Sequence, residues 1–203
     1  MNSTHQVSLF GSGRPTFDAR LRRIQRVQLD NRAWVDYQDA WLDGHECLFE
    51  MLADEAQWRT EERRMYDQTV AVPRLRASCP RGDGGATLRR MSLALSVHYG
   101  KPLSSISLNW YRDGEDSVAM HADRMGERVG NTAIAIVSVG QPRRFNLRPV
   151  AGGRGHSYYL GWGDLLVMGG NCQETWQHGV PKTAHAEPRI SIVFREPVDA
   201  ILR

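Results

Sequence analysis

Lysine is almost missing from this chain. Of its 26 basic residues only Lys101 and Lys182 are lysine, and the other 24 are arginine. Guanidinium forks bind phosphate and carboxylate bidentately and stack on bases. A compositional bias of the genome would give the same count, so the arginines alone do not name a partner. The formal net charge of +3 is likewise too small to require a polyanion. Cysteine is scarce too. Cys47, Cys79 and Cys172 form neither a CxxC pair nor a disulfide ladder, which fits reduced thiols. No apolar run reaches the roughly 18–20 residues needed to span a bilayer. The opening MNSTHQVSLFGSGRP lacks a basic start followed by an apolar stretch, so it does not read as a secretory leader. The expectation is a cytoplasmic monomer with no membrane attachment. There is no internal repeat and no HExxH zinc signature. What remains is a chain of 203 residues, 41% hydrophobic, long enough for one domain with a continuous core.

Along the chain, residues 1–15 read as a loose polar tail. Arg22 to Leu29 reads as a short strand. Asp39 to Glu55 reads as a helix, with Trp41, Leu42, Leu48, Phe49 and Leu52 at helical spacing. Trp58 to Asp67 is a polar extended segment. VAVPRL follows, and Pro73 confines it to an edge or a hairpin arm. Residues 78–86, SCPRGDGGA, read as a loop. Thr87 to Tyr99 reads as an amphipathic helix with Leu88, Met91, Leu95 and His98 on one face. From Ser105 the texture changes to short strands split by turns: SISLNWY, VAMHAD, TAIAIVSV, RRFNLR, SYYLG, DLLVMGG, TWQHGV and RISIVFR. Such spacing indicates a β sandwich or barrel. The fold class is therefore mainly β with an N-terminal α/β portion. It is read as a single domain, 1–203, with an extension over 16–104 and a β core over 105–197.

His121 and Asp123 stand two apart in VAMHAD. On a strand, i and i+2 share a face, so both can reach one metal. His178 sits on a later strand. Two imidazoles and one carboxylate form the facial triad of non-haem Fe(II) oxygenases, which leaves positions for co-substrate and O2. HxD alone is a weak signal; its surroundings strengthen it. In RISIVFR, Arg189, Ser191, Val193 and Arg195 alternate with Ile190, Ile192 and Phe194. The apolar set is expected to face the sandwich core. If the arginine face lines a cavity, its guanidinium groups need anionic partners. 2-Oxoglutarate offers two carboxylates and Asp123 a third. Asn109 and Tyr111 share one face of SISLNWY and can bond carboxylate or keto oxygens.

At this point the sequence resembles the AlkB family of Fe(II)/2-oxoglutarate dioxygenases. The matching segments are NWYRDGEDSVAMHAD (109–123), GDLLVMGG (163–170), WQHGVPK (176–182) and RISIVFR (189–195), within a likeness spanning about 58–197. The resemblance implies a double-stranded β-helix (jelly-roll) core under a nucleotide-recognition lid. It implies Fe(II) on His121, Asp123 and His178, with 2-oxoglutarate and O2 as co-substrates. Arg189 would grip the distal carboxylate of 2-oxoglutarate. Arg195 would lie near the proximal carboxylate and Asp123, and Asn109 and Tyr111 would contact the co-substrate. Two departures stand out. The family's last strand reads Arg-x-Asn-x-Thr-x-Arg, and here Ser191 and Val193 replace the Asn and Thr. Members acting on cationic bases usually carry an acid two positions after the ligand Asp, where this chain has Met125. A neutral adduct such as an etheno base then becomes a candidate beside methylated bases.

RRMYDQTVAVPRLR (63–76) resembles the family's lid hairpin. Tyr66 falls where an aromatic finger stands in some members, and Arg64, Arg74 and Arg76 would bind phosphates. An ordinary solvated hairpin explains the same residues. The function implied is oxidative dealkylation of nucleobases in DNA, with RNA as the alternative. A hydroxylase or demethylase of protein, tRNA or a small molecule keeps the same chemistry. A non-catalytic reader of modified bases has no need of the three ligands.

Overall fold

The structure is a computed structural model, and it describes residues 13–65, 68–123 and 131–197. Thr16–Phe17 is β1, Gln25–Gln28 β2, Ala33–Gln38 β3 and Leu42–Asp43 β4, followed by α1 at His45–Glu55. Arg59–Met65 (β5) pairs with Gln68–Ser78 (β6), and Asp83–Tyr99 is α2. Then come Ser105–Tyr111 (β7), Val118–His121 (β8), Thr132–Gly140 (β9), Arg143–Pro149 (β10), His156–Leu160 (β11) and Leu165–Gly170 (β12). Cys172–Thr175 is the short α3, Trp176–Val180 is β13 and Arg189–Arg195 is β14.

A major sheet runs β2-β3-β12-β9-β14-β7-β6-β5, and a minor sheet runs β11-β10-β13-β8. Their facing sides share one apolar cluster: Ile134, Ile136 and Val193 from the major sheet, Phe145, Leu147 and Val180 from the minor. This is the mainly β fold expected from the strand spacing, in the jelly-roll form that the family resemblance implies. The opposite side of the major sheet packs under α1 and α2 through Leu48, Leu52, Leu88, Met91 and Leu95.

That second layer corrects one expectation. Ile190, Ile192 and Phe194 do not face the sandwich; they pack in the helix-side cluster. The arginine face of β14 is the one turned between the sheets. Both faces of this central strand are covered, so its apolar set had two layers to choose from.

Other expectations along the chain differ, and the strand expected over Arg22–Leu29 spans only Gln25–Gln28. The helix expected from Asp39 begins at His45, because Gly44 adopts φ 70 and Ala40 φ 40, both left-handed. Trp41 is buried ahead of it, donating its Nε1–H to the Asp18 carbonyl. Residues 33–38 form a central strand with no clean alternation, since both faces are covered. α2 starts four residues before Thr87. Its first-turn N–H groups on Gly84 and Gly85 donate to the Glu55 carboxylate at 2.9 and 3.3 Å. A Cβ on Gly85 would lie 1.9 Å from the Pro80 carbonyl oxygen, so these glycines permit a close approach rather than a loop. His98 is exposed, and Tyr99 takes the buried side, donating to Asp36 at 3.0 Å. As expected for a hairpin arm, β6 carries Pro73, and the β5–β6 register shifts between Thr60 and Glu62. Among the described residues no helix is long and apolar enough to cross a membrane.

Candidate metal centre and co-substrate pocket

The site lies between the two sheets. β13 pairs with β8 so that His178 and His121 are register partners, their ring centroids 4.4 Å apart. β8 ends at His121, so Asp123 stands just past the strand rather than on it. The three side chains still converge. One ligand atom from each lies within 4.8 Å of the others. His121 Nε2 and His178 Nε2 approach the Asp123 carboxylate at 3.8 and 3.7 Å.

Two contacts hold Asp123 there. Arg195 Nη2 donates to both carboxylate oxygens at 3.1 Å. The Asp123 backbone N–H donates to Gln173 Oε1 at 3.1 Å. Gln173 is buried on α3, five residues before His178. The imidazoles are oriented as well. The His121 Nδ1 lies 2.9 Å from the Ala119 carbonyl; a proton on Nδ1 makes this a hydrogen bond and leaves the Nε2 lone pair toward Asp123. His178 stacks on Phe145 at 5.5 Å. Burial pushes its pKa down to about 4, against the pull of Asp123 and aided by His121 and Arg195. A neutral imidazole is the form that binds a metal.

The cavity around these ligands has a volume of about 790 Å3. Arg189, Asn109, Tyr111, Ser191 and Arg195 all line it, so every predicted co-substrate residue is brought to one space. Arg189 faces Tyr111 in the β14–β7 register, and Ser191 faces Asn109. The Arg189 guanidinium is buried, lies 5.2 Å from the Tyr111 ring centroid, and donates to Ser138 Oγ at 2.6 Å. Among the described residues its Nε and Nη1 have no hydrogen-bond partner. Burial pushes its pKa down to about 10, with Tyr111 opposing and Arg143 adding to the shift. A buried cation with two orphaned donors needs an anion. A dicarboxylate with one end on Arg189 and the other toward the His–Asp–His group meets that need, so the residues fit both Fe(II) and 2-oxoglutarate.

Arg74 and Arg76 line the same cavity. Arg74 Nε donates to Asn109 Oδ1 at 2.9 Å, and Arg76 pairs with Glu61. Tyr66 and Met125 lie outside the described residues, as does the side chain of Arg64. Sequence reasoning missed Gln173, Ser138 and Phe145. It also missed Arg143, which is buried and donates to the carbonyls of Asp113, Asp116 and Pro181 at 2.7, 3.0 and 2.9 Å. For Arg143 and Phe145 a signal existed, because alternation in RRFNLR puts both on one face.

A family model described as the 2OG-Fe(II) oxygenase superfamily matches residues 21–195. The chain belongs to that superfamily. Its members use Fe(II), 2-oxoglutarate and O2, which is the set that the orphaned arginine and the three ligands accommodate. Similar curated proteins support the AlkB resemblance. The chain is 30% identical over 187 residues to the Bos taurus alpha-ketoglutarate-dependent dioxygenase alkB homolog 3, covering 80% of this chain and 63% of that protein. It is 26% identical to the Homo sapiens DNA oxidative demethylase ALKBH2, covering 92% of this chain and 80% of that one. Among solved structures, OsALKBH1 superposes with a TM-score of 0.56 at 13% identity, over 85% of this chain and all of that one. That likeness speaks for the fold. The chain spans less than two thirds of the length of the alkB homolog 3 proteins it matches.

Proposed function

We propose that this oxygenase removes alkyl groups, methyl or etheno, from nucleobases by Fe(II)- and 2-oxoglutarate-dependent oxidation, acting on DNA ahead of RNA as direct damage repair. The observation that carries the reading is Arg189. A fully buried guanidinium with no counter-anion bonded to it among the described residues shares one cavity with a His–Asp–His group. The names of the curated relatives, among them a DNA oxidative demethylase, support the nucleobase side of it.

Fe(II) and 2-oxoglutarate, when bound, activate O2 and oxidise the alkyl carbon, which then leaves as an aldehyde. The chain's own residues do the rest. His121, Asp123 and His178 would hold the metal, with Arg195 fixing the carboxylate. Arg189 would bind the distal carboxylate of 2-oxoglutarate and Ser138 would orient the guanidinium. Tyr111 closes one side of that pocket, and Ile136, Val193 and Phe145 supply its apolar wall and exclude water. Met125 stands where the family resemblance implies an acid able to pair with a cationic base, which favours neutral adducts beside methylated ones.

The test is a panel of methylated and etheno oligonucleotides incubated with Fe(II)-loaded protein, read by mass. The reading expects a loss of alkyl mass that depends on 2-oxoglutarate and disappears in His121→Ala. A panel left intact while 2-oxoglutarate is still consumed would move the substrate to a protein, tRNA or small molecule and leave the iron assignment standing.

A further inference from the structure

A second cavity of about 840 Å3 adjoins the catalytic one. Arg59 of β5, Arg76 of β6 and Arg81 of the loop after it line this space, with Thr60, Ser78 and Ser107. Arg76 and Ser107 also line the catalytic cavity, so the two spaces meet at these residues.

The charge balance of the second cavity is specific. The two carboxylates among its described lining residues are already engaged. Glu61 is paired with Arg76, and Glu55 accepts from the first N–H groups of α2. Arg59 and Arg81 are exposed and have no acidic partner among the described residues. Two guanidinium groups with no acidic partner among the described residues, beside hydroxyl-bearing residues, make a site for a phosphodiester rather than for a neutral or cationic group.

We infer that this cavity binds the phosphodiester backbone next to the target nucleotide, as a single strand leaves the catalytic cavity past Arg76. The inference rests on the nucleobase reading above. An extruded base draws its flanking phosphates to the cavity mouth. Arg76 stands where the two spaces join, and Arg59 and Arg81 extend the positive path away from the metal ligands. Backbone contacts of this kind position a strand without reading its sequence. The site therefore distinguishes a polymer substrate from a free nucleoside.

The test measures binding of a labelled, unmodified single-stranded DNA oligonucleotide over a salt series. Three proteins are compared: the parent, the Arg59→Ala/Arg81→Ala double variant, and an Arg144→Ala/Arg148→Ala control. The control removes the same charge from exposed positions on β10. The cavity variant is expected to bind about tenfold more weakly, with its salt slope reduced by about 1.4, or about 0.7 per lost phosphate contact. The control is expected to keep the parent slope, and Arg59→Lys/Arg81→Lys to restore binding. Equal losses in the cavity variant and the control would show diffuse attraction and overturn the site. So would a cavity variant with the parent slope. Binding of poly-glutamate in place of DNA, with the same dependence on Arg59 and Arg81, would overturn the polynucleotide assignment. A parent that consumes 2-oxoglutarate but binds no oligonucleotide defeats the nucleobase reading itself.

Discussion

Arg189 donates to the Ser138 hydroxyl at 2.6 Å, and no carboxylate among the described residues bonds the same guanidinium. The cost of burying that charge is therefore carried by the protein until an anion binds. Arg189→Met should raise the melting temperature of the protein without ligand by about 2 °C or more, since about 1 kcal/mol moves a domain of this size by that much. It should also abolish the further rise that 2-oxoglutarate with Mn(II) gives the parent. Thermal unfolding with and without 2-oxoglutarate checks both. A variant less stable than the parent and still stabilised by 2-oxoglutarate would remove Arg189 from the co-substrate site.

Gln173 is the backbone's hold on Asp123. Its Oε1 must face the Asp123 N–H, because the amide NH2 would place donor against donor. Gln173→Met keeps most of the volume and removes the acceptor. Mn(II) affinity should fall about 10- to 100-fold, the range seen when groups that orient metal ligands are lost. The unfolding midpoint without metal should move far less in comparison. Equal metal affinity in parent and variant would show that Arg195 alone positions Asp123.

How much of this was legible in the sequence depends on where each residue's partner lies. RISIVFR and SISLNWY showed their faces directly, because period-two alternation needs only the strand itself. The direction of the faces did not show, since β14 is covered on both sides. AWVDYQ was not read as a strand for the same reason, and because Asp36 and Gln38 look solvent-facing. Asp36 is in fact buried and held by Arg26 at 2.7 and 2.8 Å and by Tyr99 at 3.0 Å. Gln173 and Ser138 were silent because their partners, Asp123 and Arg189, lie some fifty residues away in sequence. The ligand triad, weak by itself, stood out through the arginine strand and the Asn109–Tyr111 strand around it.

Acid should expose the role of Asp116, which ties the β7–β8 loop. Burial raises the pKa of its carboxyl, but side-chain and backbone hydrogen bonds from Arg112, with the charges of Arg112 and Arg143, bring it below the usual value of 3.8. A depressed carboxylate stabilises the fold above its unfolded pKa, and that contribution is lost as pH falls through the folded value. Asp116→Asn should therefore cost about 2 kcal/mol at pH 7, the scale of a hydrogen bond to a charged group. The gap to the parent should narrow below about pH 4. Denaturant unfolding across pH measures the gap; a constant difference would contradict the assignment.

Gly169 lets β12 pass beneath Trp34. A Cβ there would stand 2.0 Å from the indole, whose ring also lies under the Arg26 guanidinium at 3.8 Å. Gly169→Ala should destabilise by about 1–3 kcal/mol, the usual cost of overpacking. A shift in the denaturant midpoint reads it, and an unchanged midpoint would mean that Trp34 swings away freely.

The proposed function stands on one metal held by His121, Asp123 and His178, with the co-substrate held by Arg189. Anaerobic titration with Mn(II) as a stand-in for Fe(II), followed by 2-oxoglutarate, tests it most directly. One Mn(II) per chain is expected, lost in His121→Ala, Asp123→Ala and His178→Ala. One 2-oxoglutarate is expected as well, bound by the metal-loaded parent and lost in Arg189→Met. Failure of the parent to take up Mn(II), or full uptake by the three ligand variants, would contradict it.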